Sequence, residues 1–441
     1  MSTLIIAIVL FCITYVLLLL VPKYRSWIAL ASAVVFSIWL SFICKDVTFT
    51  FADIISAIDF NVLMMIAGTM GIVTLFIESK MPMRIADTLL SKFKSVKYAI
   101  VAMSLLSGII SAFVDNVATV LMIAPIALAV CKKQNISPVG PIVAIAVSSN
   151  LQGAATLVGD TTSILLSGHA NMNFFDFFFF NGKPSIFWAV EVGALLTAIV
   201  LLVLFRKENQ KLQLTDKTQV TDYVPTFLML GVIVLLIGAS FLQVPKNEVL
   251  KVIYNLRNGL ICVTLLVIGL IINICKTKKL TSTKEVFKEM DYKTLMLLAS
   301  LFVVIKGITS AGVIDKLSEL LVNLGGNNLF LMYTVIVFAS VLISAVVDNI
   351  PYVLTMLPVV GAVATNMQVE PYVLYFGLLV GSTLGGNITP IGASANITGI
   401  GILNKEGYEV KTKEFMKISV PFTMIAVLSG YLIVWIFWGL M

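Results

Sequence analysis

Apolar residues run along this chain in blocks of about 20, separated by short polar clusters rich in Lys and Arg. About 20 apolar residues wound as a helix cross the core of a bilayer. Blocks near 3–21, 26–44 and 58–78 therefore predict three spanning helices. The stretch 98–130 is apolar on both sides of Asp115-Asn116, the run 139–169 is interrupted at 153–163, and a further block covers 186–205. The same order then returns. Blocks near 223–243, 257–275 and 293–312 are followed by 329–364, split at Asp348-Asn349. A run over 372–402, broken at 385–396, and a last block at 416–440 complete it.

The return is visible in the residues themselves. SAFVDNVATVLMIAP at 111–125 becomes SAVVDNIPYVLTMLP at 344–358, which puts Asp348 233 residues after Asp115. The same offset carries ATLVGDTTSI at 155–164 onto ITPIGASANI at 388–397. Two separated motifs sharing one ungapped spacing mark an internal repeat: 1–205, a polar cytoplasmic linker at 206–222, and 223–441.

Composition agrees with the pattern. Hydrophobic residues make up 59% of the 441 and charged residues 12%, against about 25% charged in soluble domains. The chain reads as a multi-pass protein of the cell (inner) membrane, with the bilayer as its surroundings. The net charge of +7 could suggest a nucleic-acid partner, but the basic residues lie between the apolar blocks, where the positive-inside rule puts them. Five scattered cysteines, with no CxxC and no His at ligand spacing, exclude a disulfide framework or metal site from the reading. The N-terminal apolar run is too long for a signal-peptide core and is kept as a first span.

Charge also sets the orientation. Lys80, Arg84, Lys92, Lys94 and Lys97 precede the first split segment, and Lys132 and Lys133 follow it. A segment with both flanks cytoplasmic is a re-entrant hairpin. The second split segment has a single Lys, Lys316, in its flanks and is expected to enter from outside. Each half then has five spans plus one hairpin. Five is odd, so the halves are inverted, and such repeats place a transport site at mid-membrane where they meet. The predicted fold is an all-α polytopic membrane protein of two inverted-topology repeats.

Broken backbone at membrane depth is tolerated only where protein buries it or where it lines a watery cavity. Gly153, Gly159, Gly385, Gly386, Pro390 and Gly392 punctuate the two breaks. Asn116, Thr119, Thr156, Asn349, Asn387, Thr389, Ser394 and Asn396 supply donors and acceptors at the breaks and tips. Asp115 and Asp348 fit two roles, N-caps of the second hairpin arm or ligands for a solute or proton. Asp160 has an uncharged repeat partner, Ala393. Lys306 stands far from either end of its span, so it either snorkels or pairs with a chamber carboxylate, Asp348 first and Asp160 second. Glu78, Glu191 and His169 sit near span ends and read as interfacial. The aromatic stretch FFDFFFF at 174–180 reads as an interfacial anchor.

An intramembrane aspartyl protease also holds two Asp at mid-depth, but its GxGD hallmark is LVGD here, at 157–160. The repeat has no role in that reading. A passive channel needs a continuous pore, whereas hairpins from opposite sides suit alternating access.

The paired DN hairpins, with GAATLVGDTTS and LGGNITPIGASAN behind them, resemble the ion transporter superfamily, nearest its arsenite-efflux permeases and their sodium–proton antiporter and citrate-transporter-like relatives. The resemblance covers nearly the whole chain. It implies a homodimer with a scaffold and a transport domain that moves like an elevator, carrying solute between the tips and breaks. By position it implicates Asp115, Asn116, Thr119, Asp348 and Asn349 at the tips, and Thr156, Gly159, Asp160, Thr389, Gly392, Ser394 and Asn396 in the breaks. The dicarboxylate branch has Ser-Asn-Thr where this chain has Asp-Asn. That difference argues for a cation, or a neutral polyhydroxyl such as arsenous acid, over citrate or succinate. Lys306 would then stand in for a coupling cation or neutralise one Asp. The expected function is secondary active transport of a small inorganic ion or metalloid, coupled to H+ or Na+, with no other cofactor and no enzymatic step. Sodium–proton antiport and di- or tricarboxylate transport are the alternatives.

Overall fold

The computed structural model describes residues 3–44, 47–212, 218–277, 281–326 and 328–440. It is almost entirely helical, with nine helices among the described residues long and apolar enough to cross a membrane. The first half opens on Thr3–Leu20, Arg25–Ile38 and Phe60–Glu78; the second opens on Val224–Ser240, Arg257–Thr277 and Tyr292–Ser310. The split segments are hairpins, with arms Val96–Ser111 and Asn116–Lys133 in one and Leu329–Ser344 and Asn349–Met367 in the other. The interrupted runs are broken helices, Val139–Gly153 then Thr161–Ala170, and Tyr372–Gly385 then Ser394–Lys405. Ile186–Leu204 and Thr412–Trp438 close the two halves.

Local chemistry explains the hairpin tips. Each hairpin turns in four residues, and an aspartate restarts the helix: the Asp115 side chain accepts from the N–H groups of Val117 and Ala118, and Asp348 from that of Ile350. Those bonds satisfy amide donors that a helix start otherwise leaves unpaired. Capping is therefore one of the two roles offered to these residues, and both perform it.

The halves interlock. Arg25–Ile38 packs on Tyr292–Ser310, and Phe60–Glu78 on Arg257–Thr277, so the second span of each half meets the third span of the other. Asn116–Lys133 meets Ser394–Lys405 while Asn349–Met367 meets Thr161–Ala170, so each hairpin touches the opposite half's broken helix. This reciprocal exchange is what two copies related by a twofold axis produce.

Three details depart from the sequence reading. Connections taken as loops contain short helices, Phe51–Ala57, Met81–Leu90, Glu248–Asn255, Thr281–Glu289 and Val313–Gly325. They are too short to register as spans, and Met81–Leu90 buries Pro82, Ala86 and Leu90, a one-sided stripe at four-residue spacing. The second span ends in a π-helical turn, Trp39–Ile43. The aromatic stretch is only partly an anchor. It leads into a small hairpin that turns at Asn181 and Gly182, both with positive φ, while Phe174 and Phe177 are buried in the protein core. Of the linker, 213–217 lie outside the described residues; its flanks run along the base of the first hairpin, where Val96 N–H donates to Gln210 and Lys97 N–H to Glu208.

Candidate functional site

The two tips and the two breaks surround one cavity of about 930 Å³. Tip and break are tied together identically in each half. Thr156 donates to the Ala112 carbonyl, and its counterpart Thr389 donates to Ala345. Gly159 passes so close to the first tip that an added Cβ would stand 2.7 Å from the Ser111 oxygen and 2.8 Å from that of Ala112; at Gly392 the corresponding approaches are 3.0 Å to Ser344 and 2.8 Å to Ala345. Thr156, Gly159, Thr389 and Gly392 therefore hold backbone against backbone. They do not line the cavity.

The centre is a polar chain crossing between the halves. Asn116 donates to the Asn150 side chain at 2.8 Å, and Asn150 donates to the Thr383 carbonyl at 2.7 Å and to Asn387 Oδ1 at 3.1 Å. Asn387 returns the exchange by donating to the Val147 carbonyl at 3.1 Å. Asn150 and Thr383 are themselves 233 residues apart, so the contact joins repeat-equivalent positions. Thr162 donates to Asp160 at 2.8 Å and lies 3.1 Å from the Thr383 hydroxyl. Asn396 clamps the second break by donating to the carbonyls of Gly386 and Thr389, both at 3.0 Å. Thr119 is buried inside the first hairpin, its hydroxyl 3.5 Å from the Val114 carbonyl.

Of the residues singled out from sequence, Asp115, Asn116, Asp160, Asn349 and Ser394 face the cavity. Its charged lining comprises Lys23, Arg25 and Lys288 against Glu78, Asp115, Asp160, Glu289 and Asp291. The balance is acidic. Lys23, Glu78, Lys288 and Glu289 are exposed and lie in connections, or in the case of Glu78 at a span end, that the distribution of positive charge places inside, so the mouth faces the cytoplasm.

Asp348 has a partner that sequence reasoning missed. Arg25, at the start of the second span, forms an ion pair with it. From the preceding helix the Tyr15 hydroxyl donates to the Pro351 carbonyl at 2.9 Å and meets Thr355. In the sequence Arg25 looks like an ordinary positive-inside residue. A usable signal was Arg257, which opens the corresponding helix of the second half.

The expected pairing of Lys306 with Asp348 or Asp160 is corrected. The cavity meets its helix at Thr294, close to the start, and twelve residues further along lie about 18 Å away. Lys306 lies by the short helix Phe51–Ala57 instead. There Asp53 is held below the usual carboxylate range by hydrogen bonds from Thr50, with a smaller pull from Lys306.

The comparisons with known proteins agree with this architecture. The 46 kDa membrane protein of Mycobacterium leprae is 29% identical over 74% of each chain. A protein of Mycobacterium tuberculosis named uncharacterized transporter Rv2684 is 26% identical over 98% of each. Among solved structures, the YdaH transporter of Alcanivorax borkumensis superposes with a TM-score of 0.57 at 14% identity, over 94% of this chain and 97% of that one; at that identity the likeness establishes the fold alone. The citrate transporter family model matches residues 15–381. With most of its length inside that match, this multi-pass membrane protein belongs to the citrate transporter family and is a transporter, not an enzyme.

Proposed function

We propose that the chain carries a small neutral metalloid solute, of the arsenous acid type, across the membrane in exchange with a proton or sodium ion. The observation that carries this reading is the cavity's floor, where Asp115 and Asp160 converge with Asn116, Asn349 and Ser394. Ionisable groups at membrane depth are expensive and mark ion or proton pathways. Two carboxylates beside amide and hydroxyl groups accept hydrogen bonds from a polyhydroxyl solute and can hold a cation. They repel a free tricarboxylate, which separates this chain's solute from the one its family is named for. Movement follows the division of the fold. Hairpins, broken helices and closing spans travel together as the carrier, against the scaffold of the first three spans of each half, and a homodimer through the scaffold would hold that frame still.

The same acidic floor favours sodium–proton antiport as a second reading, in which the cation is itself the cargo. Purified protein in liposomes, offered arsenous acid, citrate or sodium with and without an imposed pH gradient, separates the readings. Gradient-dependent arsenous acid flux supports the first. Sodium flux alone moves the conclusion to the antiporter, and citrate flux alone overturns both.

A further inference from the structure

We propose that Arg25 and Arg257 are paired positioning residues of the transport cycle. Arg25 holds Asp348 when the chamber faces the cytoplasm, and Arg257 holds Asp115 when it faces outward. The proposal rests on the alternating-access reading above but not on the identity of the solute.

The first half of the pair is in place. The Arg25 guanidinium, on a scaffold helix, is paired with Asp348 at the tip of the second hairpin. It joins the two bodies that must slide past each other, in a structure whose cavity opens on the cytoplasmic side.

The second half is poised but unmade. Arg257 opens the counterpart scaffold helix as Arg25 opens the first. The register is independently anchored. Arg257 follows Arg25 by 232 residues, and the same interval separates Asp59 from Asp291, the N-caps of Phe60–Glu78 and Tyr292–Ser310. Here Arg257 is parked locally. It donates to the Tyr254 carbonyl at 2.9 Å, its guanidinium carbon lies 3.9 Å from the Tyr254 ring centre, and its Nε is buried without a hydrogen-bond partner. Asp115 accepts only backbone N–H groups, from Val117 and Ala118, and has no cation partner among the described residues.

Symmetry supplies the rest. In inverted repeats the outward-facing state is reached when each half takes up the arrangement that the other held in the inward-facing one. If they exchange conformations, the contact made by Arg25 and Asp348 is inherited by Arg257 and Asp115. A carboxylate leaving its arginine within the membrane would be left uncompensated, at a large cost. Two alternating pairs keep one tip neutralised at each end of the stroke. They also leave the opposite tip's carboxylate free to take a cation or proton from the chamber.

The test reads conformation instead of flux, so a failed solute panel leaves it intact. In the full-length protein with native cysteines replaced, Leu121→Cys reports the cytoplasmic chamber, whose wall Leu121 forms. Leu354→Cys, its repeat counterpart, is buried here and reports outward opening. Labelling uses a membrane-impermeant maleimide on vesicles of each orientation. Arg25→Gln is expected to slow labelling at Leu121→Cys and speed it at Leu354→Cys by about fivefold or more, the lower end of typical coupling between sites. Arg257→Gln is expected to do the reverse at Leu354→Cys. Arg25→Lys, which keeps a cation beside Asp348 and leaves that residue's helix cap in place, should hold parental rates within about twofold and so separates lost pairing from misfolding. If Arg257→Gln leaves Leu354→Cys labelling unchanged, or moves it in the same direction as Arg25→Gln, the alternating pair does not exist.

Discussion

Asp115 and Asp348 restart their hairpin arms in the same manner, each capping the first turn, yet their surroundings differ. Asp348 meets the Arg25 guanidinium, whereas Asp115 looks into the cytoplasmic chamber with no cation partner among the described residues. The breaks behind them repeat the contrast. Thr156 and Thr389 make the same bond to a tip carbonyl, and Gly159 and Gly392 make the same close approach. The next residues are Asp160-Thr161-Thr162 in one half and Ala393-Ser394-Ala395 in the other. Both halves keep the contacts that hold tip to break and the Asn at each tip that faces the chamber, while the residues after the break have diverged. The lesson is that the fold is symmetric where tip is tied to break and one-sided in the tip and break carboxylates that face the chamber.

Four measurements press on that contrast. The largest effect belongs to Asp115. Asn caps a helix about as well as Asp, so Asp115→Asn should fold normally and lose tenfold or more in transport by reconstituted protein, the change that about 1.4 kcal/mol makes. Near-parental flux would reduce Asp115 to a cap and remove the chamber's asymmetry. Next come the glycines. Gly159→Ala and Gly392→Ala each force a methyl against carbonyl oxygens, and overpacking costs about 1–3 kcal/mol. Thermal unfolding in detergent should show similar losses for the two, and a large inequality would break the claim that packing is symmetric. Thr156→Val and Thr389→Val should each cost about 1 kcal/mol, the net worth of one hydrogen bond, in the same assay. The smallest effect is expected for Lys306→Ala. Its side chain lies outside the chamber, so transport should stay within about twofold of the parent; a loss as deep as that of Asp115→Asn would return Lys306 to the site.

Much of the architecture was legible in the sequence because its causes are local. A 20-residue apolar block is a span whatever surrounds it, an Asp-Asn pair inside a long block whose basic flanks lie on one side marks a hairpin tip, and glycines within an apolar run mark a break. The short connecting helices escaped because their apolar faces are a few residues long and gain meaning only from the surface beneath them. Phe174 and Phe177 misled for the same reason, since an aromatic residue suits a bilayer interface and a protein core equally.

The sequence by itself determined that this is a membrane protein, that it has two related halves, and which stretches reach mid-membrane. All three follow from hydrophobicity and from likeness between segments, properties that need no partner. Tertiary structure alone decided which of the candidate residues face the chamber and which clamp it, because those roles depend on the rotation of each helix against its neighbours. It also decided which cation meets which carboxylate. Arg25 and Asp348 are 323 residues apart, and Lys306 looked nearer in every respect that a sequence can express. A charge pair inside a membrane protein is chosen by the few ångströms between side chains, and those ångströms are set by the interlock of the two halves.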